Sequence, residues 1–240
     1  MTRRLILASN STNPGSEYLG HLEDAITNFF SGCTNVAFVP YALGDIDAYS
    51  TKAEDKFESL GIRLGSVHRH SDPAQAVSAA DGVFIGGGNT FRLLDRMIRH
   101  KLIEPIRDLV ADGGAFMGTS AGSNVACPTI GTTNDMPIVQ PPTFEALGLV
   151  SFQINPHYTE RDPDTPHGGE TRRQRLAEFH EENTTPVVGL AEGSWLEVEE
   201  SVILHGPHPA LLFRRGFEAV ELAPGEISQQ YLRNNAPPVK

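Results

Sequence analysis

Ser120 stands between two glycines in Gly118-Thr119-Ser120-Ala121-Gly122, directly behind the apolar run Ala115-Phe116-Met117. A buried strand feeding a sharp turn, with a helix behind it, lifts the hydroxyl at the apex out of a packed sheet. A serine oxygen is a poor nucleophile until a base stands beside it and donors await the oxyanion. Nine histidines compete for the base. His21 and His180 fall in helical patterns, and His167 lies in a polar, Pro-rich loop. His68 and His70 read as a solvated strand end, without a third ligand for a metal, and His205 and His208 flank the turn Gly206-Pro207. His157 differs, because it follows a strand pattern over 152–154 through Asn155-Pro156, at the edge where Ser120 is expected. A carboxylate must then orient the imidazole and stabilise it when charged. Glu192, just past the apolar run 187–190, is preferred because a strand aims it; Asp135, in the loop 132–137, is the alternative acid.

Backbone N–H groups of Ala121 and of the Gly86-Gly87-Gly88 loop are the candidate oxyanion donors. The same glycine loop, followed by Asn89, could instead cradle a phosphate. It lacks the Lys-Ser/Thr of a P-loop and the full dinucleotide spacing, so a non-catalytic nucleotide or small-anion domain is the weaker reading. The order serine, histidine, acid also separates this chain from the α/β-hydrolases, which place the acid before the histidine.

The elements that must position these residues alternate along the first half. Strand patterns at 5–8, 36–39, 62–67, 82–85 and 115–117 are separated by helical spacings at 19–29, 53–60, 73–80, 91–98 and 103–110. That alternation predicts a mostly parallel sheet with helices on both faces, with ligands gathering at the carboxyl ends of the strands. Loop 128–142 is expected to cover that edge, and 161–169 reads as a mobile loop before a helix near 170–182. Apolar runs at 195–198, 202–204, 211–213 and 219–222 predict C-terminal antiparallel hairpins. The expected organisation is one α/β domain over 1–233 with a flexible tail at 234–240.

A net charge of −11 disfavours nucleic acid or an anionic membrane face as partner. It also means that an acidic substrate needs a dedicated cation. Two cysteines, Cys33 and Cys127, make neither a disulfide framework nor a zinc site. No apolar run is long enough to span a membrane, and the run at the start is too short for a secretion signal, so the cytoplasm is the expected location.

Several blocks recur in the order of a known family. They are Ser9-Asn10-Ser11-Thr12, Gly86-Gly87-Gly88-Asn89-Thr90-Phe91, Ser120-Ala121-Gly122, Ala126-Cys127-Pro128-Thr129-Ile130, Thr132 to Val139, Ile154-Asn155-Pro156-His157, Gly169-Glu170-Thr171-Arg172 and Glu192-Gly193. Over nearly the whole chain the sequence resembles the peptidase E, or α-aspartyl dipeptidase, family. The resemblance implies a flavodoxin-like sheet related to class I glutamine amidotransferases, with serine in place of cysteine at the elbow. It implies hydrolysis of dipeptides that begin with aspartate, through an acyl-enzyme, by Ser120, His157 and Glu192, with Asp135 the family's other candidate acid. Gly88 and Ala121 would form the oxyanion hole, and Arg172 would grip the aspartyl carboxylate with Asn89 as a further substrate contact. Arg173 and Arg175 read instead as surface residues pairing with Glu178, Glu181 or Glu182. No cofactor or metal is expected, the partner is a small peptide, and the chain is expected as a monomer or homodimer. A related enzymatic alternative is a cyanophycinase-like hydrolase of aspartyl-arginine polymer.

Overall fold

Five strands with both faces buried form the centre of the molecule: β1 (Arg4–Ala8), β2 (Val36–Val39), β3 (Leu64–Ser66), β4 (Gly82–Ile85) and β5 (Ala115–Thr119). They pair in parallel in the order β1-β5-β4-β2-β3. The structure, a computed structural model, describes residues 3–160 and 169–233. The reading of 161–169 as a mobile loop, His167 within it, and the tail at 234–240 therefore lie outside the described residues, Gly169 apart.

Side chains alternate across the sheet, as the two-residue period of a strand requires. Leu5, Leu7, Val39, Val83, Ile85 and Phe116 join one core, whereas Ile6, Ala8, Phe38, Phe84 and Met117 join the other. The second core is closed by α1 (Glu23–Phe29) and α2 (Ile46–Ser59) through Ile26, Phe29, Ala53 and Phe57. There Phe84 stacks between Phe38 and Phe57, at 5.1 and 5.2 Å between ring centroids. Each such ring contributes about 1.5–3 kcal/mol through burial. The first core is closed by α3 (Pro73–Ser78), α4 (Thr90–Arg99), α5 (Ile103–Ala111) and α6 (Ala121–Ala126).

The sheet does not end at β1. Strands β8 (Trp195–Val198), β9 (Val202–His205) and β12 (Gly225–Ile227) continue it antiparallel, giving eight strands. The expected mostly parallel sheet and C-terminal hairpins are both present. The strands that carry His157 and Glu192 are elsewhere, however. Strand β6 (Gln153–Pro156) pairs in parallel with β7 (Val187–Leu190), and β10 (Ala210–Phe213) and β11 (Val220–Leu222) extend them antiparallel into a separate four-stranded sheet. Helix α6, all six residues buried, touches both β5 of the large sheet and β6 of the small one. Helix α7 (Arg172–Glu182) starts with a capping box, Thr171 accepting from the Gln174 amide while Gln174 accepts from the Thr171 amide.

The helix pattern at 19–29 is realised in two pieces, a 3-10 turn at Gly20–Leu22 and then α1. His68 is not a solvated strand end. It lies in a 3-10 turn, its Nδ1 2.7 Å from Ser66 Oγ and its Nε2 2.9 Å from Asp47 Oδ1. His205 belongs to β9 rather than to the turn, stacked on Trp195 and paired with Glu197 at 2.9 Å. Among the described residues no helix is long and apolar enough to cross a membrane.

Candidate active site

The β5–α6 junction makes the elbow. Ser120 takes φ 51° and ψ −109°, which few non-glycine residues adopt. The strain thus sits on the serine itself, and the glycines serve another purpose. A Cβ on Gly122 would strike the Ile85 carbonyl, so the helix can approach β4 only with glycine there. The neighbouring loop leaves β4, the strand paired with β5, and its Gly87 lies so near that a Cβ there would stand 3.1 Å from Ser120 Cβ.

His157 and Glu192 reach this point from the ends of β6 and β7. Ser120 Oγ is 2.8 Å from His157 Nε2, and His157 Nδ1 is 2.6 Å from Glu192 Oε1. The arrangement is open: the His157 and Glu192 side chains are 38% and 47% exposed. A neutral imidazole bonded to the carboxylate through Nδ1–H presents an unprotonated Nε2 to the hydroxyl, the tautomer a general base needs.

The Ala121 amide directly follows Ser120, and the Gly88 amide belongs to the loop whose Gly87 approaches Ser120. Among the described residues neither N–H bonds a protein acceptor, whereas the Asn89 amide bonds Ala42 O at 3.0 Å, and the Tyr49 hydroxyl lies so close to Gly86 that a Cβ there would strike it. Gly88 has φ 139°, and a Cβ there would come within 2.8 Å of Ala42 O, so glycine is required twice over. Tyr49 escaped the sequence reading, since a helical tyrosine carries no signal that its hydroxyl reaches a loop. Burial pushes that phenol to about 12, which keeps it neutral beneath the glycines.

Asp135 is not beside the imidazole. Its Oδ2 accepts from the Thr90 amide at 2.7 Å, the Thr90 hydroxyl at 2.6 Å and the Thr133 hydroxyl at 3.2 Å. The alternative acid is therefore corrected to a brace between its loop and the start of α4. Thr90 and Thr133 were also missed, although a threonine opening a helix and another two residues before an aspartate are the available signals. Asn89 has a structural role as well. Its Oδ1 caps α4 by accepting from the Arg92 amide at 3.0 Å, and its Nδ2 donates to Met136 O at 2.8 Å, which leaves the second Nδ2 hydrogen for a substrate.

Arg172 opens α7, half-buried. Among the described residues its side chain makes no hydrogen bond or ion pair. Burial lowers its guanidinium from the usual value, Arg175 adds to the effect, and Asp135 opposes it. Arg173 and Arg175 are engaged, but not with the glutamates later in the helix: Arg173 binds Glu160 at 2.7 Å and Arg175 lies 3.6 Å from Glu170. Among the described residues, the arginine of the three without a bonded partner is thus the one named from the resemblance. Among the described residues no cluster of His, Cys, Asp and Glu could hold a metal ion.

Residues 5–205 match the model of peptidase family S51. The chain belongs to peptidase family S51. It is 51% identical to Peptidase E of Streptomyces coelicolor over 229 residues, covering 95% of this chain and 94% of that one. It is 44% identical to a probable alpha-aspartyl dipeptidase of Drosophila melanogaster, covering 92% and 94%. Among solved structures, a putative Peptidase E protein from Listeria monocytogenes aligns with TM-score 0.65 at 23% identity, over 86% of this chain and 100% of that chain. A peptidase from an acI-B1 actinobacterium aligns with TM-score 0.71 at 18% identity, over 95% and 97%. The last two speak for the fold alone.

Proposed function

We propose that this S51 peptidase is an α-aspartyl dipeptidase in which Ser120 is the nucleophile, His157 the general base and acid, and Glu192 the residue that orients it. The relay of 2.8 and 2.6 Å from hydroxyl to imidazole to carboxylate carries the reading. Ser120 Oγ attacks the peptide carbonyl as His157 Nε2 takes its proton, and the Gly88 and Ala121 amides receive the oxyanion. The tetrahedral intermediate collapses as His157 protonates the leaving amine, leaving an aspartyl ester on Ser120. His157 then takes a proton from water, hydroxide adds to the ester, and aspartate departs as the proton returns to Ser120.

Arg172 supports the substrate preference. A half-buried guanidinium without a bonded carboxylate among the described residues suits bidentate capture of the aspartyl side chain, and in a chain of net charge −11 it supplies the needed local cation. The relatives' dipeptidase names do not favour the polymer-directed or anion-binding alternatives. All of these residues lie on one chain, read as a single domain over 1–233 that acts as a monomer or homodimer. The unpaired thiols Cys33 and Cys127 suit the cytoplasm as its place of action.

Hydrolysis of Asp-Leu and Asp-p-nitroanilide by Ser120→Ala tests the reading. Near-complete loss is expected, with the circular dichroism of the parent retained and with parent turnover undiminished by a chelator. Full turnover by a clean preparation of the variant would exclude Ser120 as nucleophile.

A further inference from the structure

The turn that leaves β1 takes no part in the proposed chemistry, yet it touches all three turns that do. Ala8 O accepts from the Ser120 amide at 3.0 Å and from the Ser123 hydroxyl at 2.7 Å. Ser9 is fully buried, and its amide donates to Ser194 O at 3.0 Å. Its hydroxyl accepts from the His157 amide at 2.8 Å and donates to Leu190 O at 2.8 Å. Asn10, also buried, accepts through Oδ1 from the Gly193 amide at 2.9 Å. Its Nδ2 donates to Thr12 O at 3.0 Å and to Asn13 Oδ1 at 2.8 Å, which fixes the side chain.

These bonds fall where the backbone most needs holding. His157 has φ 52°, a conformation that costs a non-glycine residue about 1–3 kcal/mol and persists only when its surroundings impose it. The hydroxyl of Ser9 holds its amide, and the same hydroxyl binds the last carbonyl of β7, two residues before Glu192. Gly193, at φ 79°, is held by Asn10 on the other side of Glu192. Ser9 and Asn10 extend from the large sheet, the sheet that carries Ser120, whereas His157 and Glu192 extend from the small one.

We propose that Ser9 and Asn10 are positioning residues: they lock the base and the acid of the small sheet into register with the nucleophile of the large sheet, without touching substrate. This rests on the assignment of Ser120, His157 and Glu192. In Ser9→Ala the His157 amide and the Leu190 carbonyl lose their shared partner, and the base is freed to move. A displacement on the order of 1 Å costs about a hundredfold in rate.

The experiment measures kcat and KM for Asp-p-nitroanilide with Ser9→Ala and Asn10→Ala, normalised to folded protein by circular dichroism, beside Ser120→Ala as control. The expected result is a fall in kcat of about ten- to a hundredfold in each variant with KM retained, because Arg172 and the oxyanion amides are untouched. Wild-type kcat in both variants, with only the melting temperature lowered, would overturn the inference and leave the two residues a purely structural role. Should Ser9→Ala not fold, Asn10→Ala decides by the same criteria. Activity surviving in Ser120→Ala would instead strike the underlying assignment, so the two failures are told apart.

Discussion

Glu192→Gln separates the proposed acid from its rival most directly. The variant keeps the size of the side chain and an oxygen for the imidazole, and removes only the charge that faces His157 across 2.6 Å. When His157 takes the proton of Ser120, an ion pair forms. Unit charges about 4 Å apart attract by about 1 kcal/mol in water and about 4 kcal/mol at an effective dielectric near 20. Both side chains are more than a third exposed, which puts the pair toward the wet end of that range. About 1.4–2.8 kcal/mol then corresponds to roughly a ten- to hundredfold loss in kcat, smaller than for a triad acid sealed from solvent. KM should stay near the parent's value, because Glu192 lies on the far side of the imidazole from the substrate carbonyl. Asp135→Asn should behave in the opposite sense, with kcat retained and KM raised, since Asp135 braces Thr90 and lies within electrostatic reach of Arg172. Release of p-nitroaniline from Asp-p-nitroanilide over a range of concentrations reports both constants. Unchanged kcat in Glu192→Gln, or a larger kcat loss in Asp135→Asn, would refute the assignment.

Arg172→Met should remove most of the preference for aspartate over asparagine at the first position. Charge-assisted hydrogen bonds of this kind contribute about 1.5–3 kcal/mol, so kcat/KM for Asp-Leu should fall about ten- to a hundredfold while Asn-Leu changes little. A selectivity ratio unmoved by the substitution would exclude Arg172 as the selector. Asp81, just before β4, accepts from the Thr34 amide and hydroxyl at 2.7 Å each and from the Asn35 amide at 3.0 Å, and these bonds hold its carboxyl below the usual value. A depressed folded value stabilises the fold above the ordinary carboxyl range, and the contribution disappears as the pH falls through the folded value. Asp81→Asn should therefore melt below the parent at neutral pH, with the gap narrowing in acid. A gap of constant size down to about pH 3 would contradict the linkage.

The elbow was legible because chemistry and packing ask for the same residues there. An apolar run ended by Gly118 and Gly122 fits one backbone path, and the glycines there serve close approach. His157 and Glu192 were legible because each ends an apolar run with a polar group that packing does not require. That their strands form a second sheet was not legible. Strands β6 and β7 read like β4 and β5, and their pairing with each other and with β10 is decided by tertiary register rather than by local pattern. Asn89 and Asp135 were open to a related ambiguity. A short polar side chain beside a glycine loop serves equally to cap a helix or to meet a ligand, and the choice depends on partners such as Met136 and Thr133 whose positions only the fold fixes. The partners of Arg173 and Arg175 escaped because helical spacing points to later glutamates, whereas Glu160 arrives from the end of β6.

Splitting the relay between two sheets has a consequence for the chain as it is made. The five parallel strands and the elbow of Ser120 come first along the chain. Its base and acid arrive 37 and 35 residues later in turn, and the sheet that holds them gains β10 and β11 only near the end of translation. A nascent chain that stops short of Glu192 thus holds the alcohol without its full relay.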